Sequence, residues 1–88
     1  MSTYSIIYLP STEKFIAKAP PKLALRILDK VRDIASNPLS PHPNLTRLKE
    51  PLNGYRLRVG DYRVIYVLDH TTRRLIVTKI DHRSSVYL

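Results

Sequence analysis

The spacing at which hydrophobic residues recur changes along this chain of 88 residues. Residues 4–9 are rich in β-branched and aromatic side chains, which predicts a first strand. Proline, serine and threonine at residues 10–12 are typical of a helix start, and Glu13 suits the first turn. Apolar residues then recur at helical spacing until Pro20 and Pro21 end the segment. The pattern therefore predicts a strand followed by a short helix.

A second helix is predicted to begin at Pro21, because proline needs no N–H partner at the first helical position. Apolar residues then recur at i, i+3, i+4 and i+7, which predicts one core-facing stripe. Its members are Ala24, Ile27, Leu28, Val31, Ile34 and Ala35. Residues 36–38 stop the helix. Residues 39–53 are rich in proline and are predicted to be irregular, with Leu45 and Leu48 as anchors.

The last third of the chain alternates between apolar and polar side chains, as strands do. We predict strands at residues 55–59, 62–68 and 74–80. Gly60 and Asp61 form a two-residue hairpin turn, and residues 70–73 form the next turn. The element order β-α-α-β-β-β predicts a single α+β domain over residues 1–88. Both helices should pack on one face of a mostly antiparallel sheet.

A two-residue turn fixes the register of the first hairpin. Arg58 then lies directly opposite Arg63, and Arg56 extends the same face by one alternation. A three-residue turn would shift the pairing by one residue and separate Arg58 from Arg63. The other face of the hairpin is apolar and aromatic, so its tyrosines are predicted to be core residues. These are Tyr55, Tyr62 and Tyr66.

Charge narrows the possible partners. The chain has 15 Lys and Arg against 7 Asp and Glu, a net charge of +8. A small basic domain often binds nucleic acid or an acidic protein, although the charge can also serve solubility alone. The chain has no cysteine, which excludes disulfides and thiolate metal sites and fits a cytoplasmic protein. No apolar run approaches the ~20 residues that span a bilayer.

The predicted opposition of Arg58 and Arg63 needs an explanation. Like charges directly opposed on two strands destabilise the pair, and arginine cannot lose its proton at ordinary pH. A phosphate that spans the two guanidinium groups would remove the conflict, because guanidinium binds phosphate oxygens bidentately. The alternative is that these arginines are edge charges that discourage aggregation.

Two segments resemble the RelE family of toxins from toxin–antitoxin pairs. Residues 55–66, Tyr-Arg-Leu-Arg-Val-Gly-Asp-Tyr-Arg-Val-Ile-Tyr, look like the family's central hairpin. Residues 82–87, His-Arg-Ser-Ser-Val-Tyr, look like its C-terminal motif. By element order the resemblance covers nearly the whole chain. It implies a small basic ribonuclease that cuts messenger RNA in the ribosomal A site and is blocked by a cognate antitoxin.

The resemblance also implies site residues. Carried over position by position, these are Arg56, Arg58, Arg63, Arg83 and Tyr87. The chain departs from the family in having arginine at both second-strand positions, where some members have lysine. It also has Asp81 where many members have glycine. This carboxylate is expected either to pair with a site arginine, to orient His82, or to weaken RNA binding.

The candidate residues suit cleavage by the 2′-hydroxyl of RNA itself. Arginines stabilise charge on the phosphate but are poor bases, so proton transfer falls to His82, to Tyr87 or to the ribosome. The alternative roles are a bystander for His82 and, for Tyr87, a ring that pins the last segment to the core. No carboxylate cluster or zinc spacing is visible, so we expect no metal and no cofactor.

Two other functions remain open. One is a ParE-like module on the same scaffold that inhibits DNA gyrase, although such chains generally lack the arginine–tyrosine set. The other is a toxin fold without activity that only binds an acidic partner. We expect the endoribonuclease, with messenger RNA, the ribosome and an antitoxin as partners.

Overall fold

The computed structural model describes residues 3–82, and two helices lie in the first half of this range. Helix α1 is Pro10–Lys18 and helix α2 is Pro21–Ser36. Each begins with proline at its start, as predicted. Thr12 is buried and its hydroxyl donates to the Leu9 carbonyl at 2.7 Å, which ties the first turn of α1 to the residue immediately before the helix.

The strands form one five-stranded sheet with the order β1-β5-β4-β3-β2. Their bounds are Ser5–Tyr8 for β1, Leu45–Arg47 for β2, Gly54–Val59 for β3, Tyr62–Asp69 for β4 and Arg74–His82 for β5. Only the β1–β5 pair is parallel within the described residues, and the other pairs are antiparallel. The predicted α+β class and mostly antiparallel sheet are therefore confirmed.

Strand β2 was not predicted, because it lies in the segment that we expected to be irregular. Its Leu45 pairs with Leu57 of β3, so it forms an edge of the sheet. The backbone N–H of Arg58 donates to the carbonyl of Asn44, the residue before β2, at 2.9 Å. A strand this short carries no alternation to detect. It forms because the outer edge of β3 offers unpaired backbone groups.

The core lies between α2 and one face of the sheet. Four members of the predicted stripe are buried in α2: Ile27, Val31, Ile34 and Ala35. Ala24 and Leu28 are only partly buried. From the sheet, the buried apolar residues are Leu57, Val59, Val64, Tyr66, Leu68, Leu75, Val77 and Ile80. Fully burying one large aliphatic side chain contributes about 1.5–3 kcal/mol, so this layer fixes which face of each strand points outward.

A bulge in β5 changes the alternation near its end. Ile65 pairs with Lys79 while the next residue, Tyr66, pairs with Val77, so Thr78 is the extra residue. The Thr78 hydroxyl donates to the Ile65 carbonyl at 3.3 Å. Val77 and Ile80 can therefore both be buried. The bulge sends Lys79 and Asp81 to the opposite face.

Candidate nucleic-acid interface

The β3–β4 hairpin has the predicted register, with Arg58 directly opposite Arg63. The turn contains two residues, and Gly60 has a φ of 60°, a left-handed value that side-chain-bearing residues rarely adopt. Arg58 Nε donates to the Gly60 carbonyl at 3.2 Å. This bond uses one of the five guanidinium donors and holds the Arg58 head group beside the turn.

Arg56 lies on the same side of the sheet as Arg58 and Arg63. The alternating residues Leu57 and Val59 are buried against the helices, so the arginines must project from the other side. Arg58 is exposed, and the other two arginines are half-buried. We call these three residues the arginine face. Strand alternation gathers three cations here without any contribution from the C-terminal motif.

Asp81 belongs to this same side of the sheet. It pairs in register with Arg63, and its Oδ2 lies 3.5 Å from Lys79 Nζ. Its Oδ1 is buried and has no hydrogen-bond partner among residues 3–82. Of the roles expected for Asp81, orientation of His82 does not fit, because the two residues project from opposite faces of β5. The carboxylate instead places one negative charge at the border of the arginine face.

His82 lies on the helix side of the sheet. It pairs in register with Tyr62, and the two rings meet edge to face with centroids 4.8 Å apart. The Tyr62 ring in turn meets Phe15 of α1 at 5.5 Å. The described residues thus bring Arg56, Arg58 and Arg63 together but leave His82 on the far side of the sheet. Arg83 and Tyr87 lie outside the described residues.

The three hairpin tyrosines do not share one environment. Tyr66 is buried in the core, and Tyr55 stacks on it with centroids 5.2 Å apart and packs against the core, as predicted. Burial is the main cause that raises the pKa of Tyr66, and the neighbouring Tyr55 adds to it. The prediction that Tyr62 is a core residue is wrong. Tyr62 is half-buried because it begins β4 at the tip of the hairpin, where it lines a surface groove.

The structure adds a cation that the sequence did not single out. Arg26 of α2 places Nη1 3.5 Å from the position that a Cβ on Gly60 would occupy. Arg26 is an exposed residue of α2 and does not belong to the apolar stripe. Its proximity to the hairpin tip depends on how α2 docks on the sheet. No local sequence signal could have revealed it.

Within residues 3–82, no group of three or more His, Asp or Glu side chains is placed to hold a metal ion. Two of the aspartates make other contacts. Asp29 pairs with Arg32 at 3.5 Å, and Asp69 accepts backbone hydrogen bonds from Thr71 and Thr72. Neither described helix is long and apolar enough to cross a membrane.

Comparison of the sequence with known protein families identifies the family of this chain. Residues 6–87 match the profile of the family described as the ParE toxin of type II toxin–antitoxin systems, parDE. The chain belongs to this family. It is also 28% identical to toxin RelG of Mycobacterium tuberculosis, over 96% of this chain and 95% of the relative. The predicted place in the RelE/ParE superfamily is therefore confirmed, and the protein is a toxin of a type II toxin–antitoxin system.

Solved structures show the same fold. The RelE–RelB complex of Pyrococcus horikoshii OT3 matches with a TM-score of 0.80 and 24% identity, over 92% of this chain and 96% of that one. The isolated E. coli RelE toxin matches with a TM-score of 0.78 and 18% identity, over 96% and 90%. At these identities the likeness establishes the architecture of this toxin, whereas its chemistry depends on its own residues.

Proposed function

We propose that this toxin is a metal-independent endoribonuclease that cuts translated messenger RNA in the ribosomal A site. The observation that carries the proposal is the direct opposition of Arg58 and Arg63, with Arg56 beside them. Like charges directly opposed on two strands destabilise the pair, and Asp81, which lies opposite Arg63 on β5, offsets only part of this charge because it is ion-paired with Lys79. The phosphodiester of RNA is an anion with the oxygen geometry that guanidinium groups bind best.

In the proposed reaction the RNA supplies the nucleophile. Its 2′-hydroxyl attacks the adjacent phosphorus, the bond to the 5′-oxygen breaks, and a cyclic phosphate and a free 5′-hydroxyl result. Arg56, Arg58 and Arg63 stabilise the negative charge that develops on the phosphate oxygens. Preorganised donors of this kind are commonly the largest catalytic contribution.

Two protons must also move, one from the 2′-hydroxyl and one to the leaving oxygen. We assign this work to Tyr87 or to groups of the ribosome, and we assign Arg83 to the phosphate, both on the resemblance to RelE toxins. His82 is the weaker candidate, because it lies across the sheet from the arginine face and packs on Tyr62. A general acid or base must reach the proton that it transfers.

The proposed partners are messenger RNA, the ribosome and a cognate antitoxin. The antitoxin is supported by the Pyrococcus relative, which was solved as a RelE–RelB complex. The net charge of +8 supports both RNA and an acidic antitoxin, because both carry negative charge. The cytoplasm is the compartment in which these partners would meet.

Induced expression followed by primer extension on a translated transcript tests the proposal. We expect new 5′ ends within the translated region, lost in Arg63→Ala and kept in Arg74→Ala. Arg74 is the matched control, because it is an exposed arginine at the other end of the sheet, on β5. Growth arrest with every transcript intact would refute the nuclease.

A second candidate is inhibition of DNA gyrase, favoured by the family profile, whose description names ParE. Supercoiling by purified gyrase, with and without the toxin, separates this activity from RNA cleavage. A toxin fold that only binds an acidic partner is the remaining alternative. In that case Arg63→Ala and Arg83→Ala would leave the cellular effects of expression unchanged.

A further inference from the structure

A surface groove lies on the helix side of the sheet, away from the arginine face. It runs between α1, the start of α2 and the first residue of β4. Its principal lining residues are Lys14, Phe15, Lys18, Leu23 and Tyr62. We call it the basic–aromatic groove. Both lysines are exposed, and Phe15, Leu23 and Tyr62 are half-buried. The groove therefore offers cations and aromatic surface to solvent together.

The two lysines repeat the problem posed by the opposed arginines. Lys14 and Lys18 are four residues apart on α1, so they share one helix face and repel each other slightly. Within residues 3–82, the ion pairs are Arg32–Asp29 and Lys79–Asp81, so neither lysine has a carboxylate within bonding distance. An anionic ligand would remove this conflict.

The aromatic residues indicate what else the ligand carries. The Tyr62 ring meets Phe15 and His82 edge to face, at 5.5 Å and 4.8 Å. Phe15 and Tyr62 are only half-buried and line the groove, so part of each ring is exposed to solvent there, and a nucleobase is a flat partner that can pack on it. Single-stranded RNA alternates phosphates with flat bases, so it matches lysines interleaved with rings. An acidic peptide could also pair with the lysines and pack apolar side chains on the rings, so its binding is the competing outcome of the test below.

A cationic path joins the groove to the arginine face around the hairpin tip. Leu23 lines the groove, and Arg26 follows it one helical turn later with Nη1 against Gly60. The Gly60 carbonyl accepts a hydrogen bond from Arg58 Nε on the arginine face. Tyr62 and Arg63 are neighbours in sequence and project to opposite sides of the sheet. The turn also contains the exposed carboxylate of Asp61, so the positive charge along this path comes from Arg26 and Arg58 beside Gly60. One RNA strand can follow these cations from one site to the other.

We propose that the basic–aromatic groove binds nucleotides that flank the cleaved phosphate, with RNA phosphates on Lys14 and Lys18 and a base on Tyr62. The inference rests on the proposed nuclease function and names a second contact surface for the same strand. Arg26 guides the backbone between the two surfaces. The arginine face performs the chemistry, and the groove contributes affinity and positioning.

The test is binding of a fluorescent single-stranded 2′-O-methyl RNA, which lacks the nucleophile, measured by anisotropy across a salt series. The Lys14→Gln, Lys18→Gln double variant should reduce the slope of log affinity against log salt by about 1.4, or ~0.7 for each phosphate that a lysine no longer neutralises. The Lys30→Gln, Lys49→Gln variant removes the same charge elsewhere and should keep the slope. An equal reduction of the slope in both double variants would overturn the proposal that the basic–aromatic groove binds RNA.

Tyr62→Leu tests the stacking interaction. Leucine keeps apolar packing against Phe15 but removes the flat ring, so affinity should fall on the order of 5- to 150-fold with little change in salt slope. If the Tyr62→Leu variant is poorly folded, photo-crosslinking of the wild-type protein to 5-iodouridine RNA replaces the binding measurement on this variant. Crosslinks at Tyr62 or Phe15 support the groove, and crosslinks confined to the arginine face overturn it.

Failure of the groove can be told apart from failure of the nuclease. If Arg63→Ala loses both binding and cleavage while the groove variants lose neither, only the groove is wrong. If wild-type protein cuts no translated transcript, the nuclease is wrong, whatever the uncleavable RNA does. If the groove variants bind RNA normally but lose affinity for poly-glutamate, the groove is a protein-docking surface and the RNA assignment is overturned.

Discussion

Arg58 and Arg63 lie directly opposite each other on β3 and β4, and the Nε of Arg58 is anchored to the turn between them. If this arrangement lowers the stability of the protein but helps it to bind a ligand, removing one arginine should affect stability and binding differently. Arg63→Ala removes the repulsion from Arg58 on one side and the attraction to Asp81 on the other, so the free energy of unfolding should change by less than about 1 kcal/mol. Denaturant unfolding measures this, and Arg74→Ala gives the contrast, because Arg74 lies opposite the carboxylate of Asp69 and its removal should lower the free energy of unfolding slightly.

The same Arg63→Ala variant should lose cleavage of translated messenger RNA on the order of 10²–10³-fold, the usual effect of removing one donor to a developing oxyanion. Single-turnover cleavage on programmed ribosomes gives the rate. Wild-type cleavage by a well-folded Arg63→Ala protein would exclude the arginine face from the reaction.

Inorganic phosphate should stabilise the wild-type protein through the arginine face. A ligand that binds only the folded state stabilises it by about 2.7 kcal/mol at one hundred times its dissociation constant. The rise in Tm with phosphate should be clearly smaller in a double variant with Arg58→Ala and Arg63→Ala. Sodium chloride at equal ionic strength controls for screening. An identical rise in both proteins would mean that phosphate binds elsewhere.

Asp81→Asn should strengthen RNA binding. The carboxylate pairs in register with Arg63 and forms an ion pair with Lys79, so it reduces the positive potential beside the arginine face. We expect affinity for uncleavable RNA to rise several-fold at low salt and the gain to shrink as salt increases. Asp29→Asn is the control, because it removes an equally long ion pair from the surface of α2. Weaker binding by Asp81→Asn would show that the carboxylate organises the site.

Tyr66 should make the protein sensitive to alkali. Burial raises the pKa of its phenol, so above pH ~10 the unfolded chain loses this proton while the native state keeps it. The unfolded state then binds fewer protons, and stability falls as pH rises, by at most ~1.4 kcal/mol per pH unit for one group. Tyr66→Phe should flatten this decline in the free energy of unfolding.

At neutral pH Tyr66→Phe should cost little stability, because the Tyr66 hydroxyl is buried and has no hydrogen-bond partner in the described part of the chain. Tyr4→Phe provides the contrast. The Tyr4 hydroxyl is hydrogen-bonded to His70 Nδ1 at 2.7 Å, so its loss should cost about 0.5–1.5 kcal/mol. Denaturant unfolding of both variants gives the comparison. A larger drop in stability for Tyr66→Phe than for Tyr4→Phe would contradict the expectation.

The elements that the sequence predicts correctly are those decided by neighbours along the chain. The two prolines mark both helix starts, and Gly60 with Asp61 sets a tight turn from which the whole Arg58–Arg63 register follows. Burial of one hairpin face then determines the direction of every arginine on the other. These are local rules, and they suffice for the arginine face.

The parts that the sequence does not predict depend on contacts between distant segments. The bulge at Thr78 determines the face of the sheet from which Asp81 and His82 each project. The sequence around Thr78 contains no signal that predicts this bulge. Arg26 reaches the hairpin tip only because of how α2 docks on the sheet. Tyr62 projects toward the helices, as the alternation of side chains along β4 predicts. It lies at the edge of the core, however, and alternation does not predict where a core ends.

Strand β5 lies between β1 and β4, so the earliest strand of the chain pairs with the latest described one. During synthesis the β3–β4 hairpin can form before residues 74–82 exist, whereas β1 has no strand to join until they arrive. A nascent chain therefore displays its cationic hairpin before the sheet that stiffens it is complete. A chain that stops before residue 74 would lack the strand to which both β1 and β4 pair, so we expect it to expose the hairpin without forming the complete sheet.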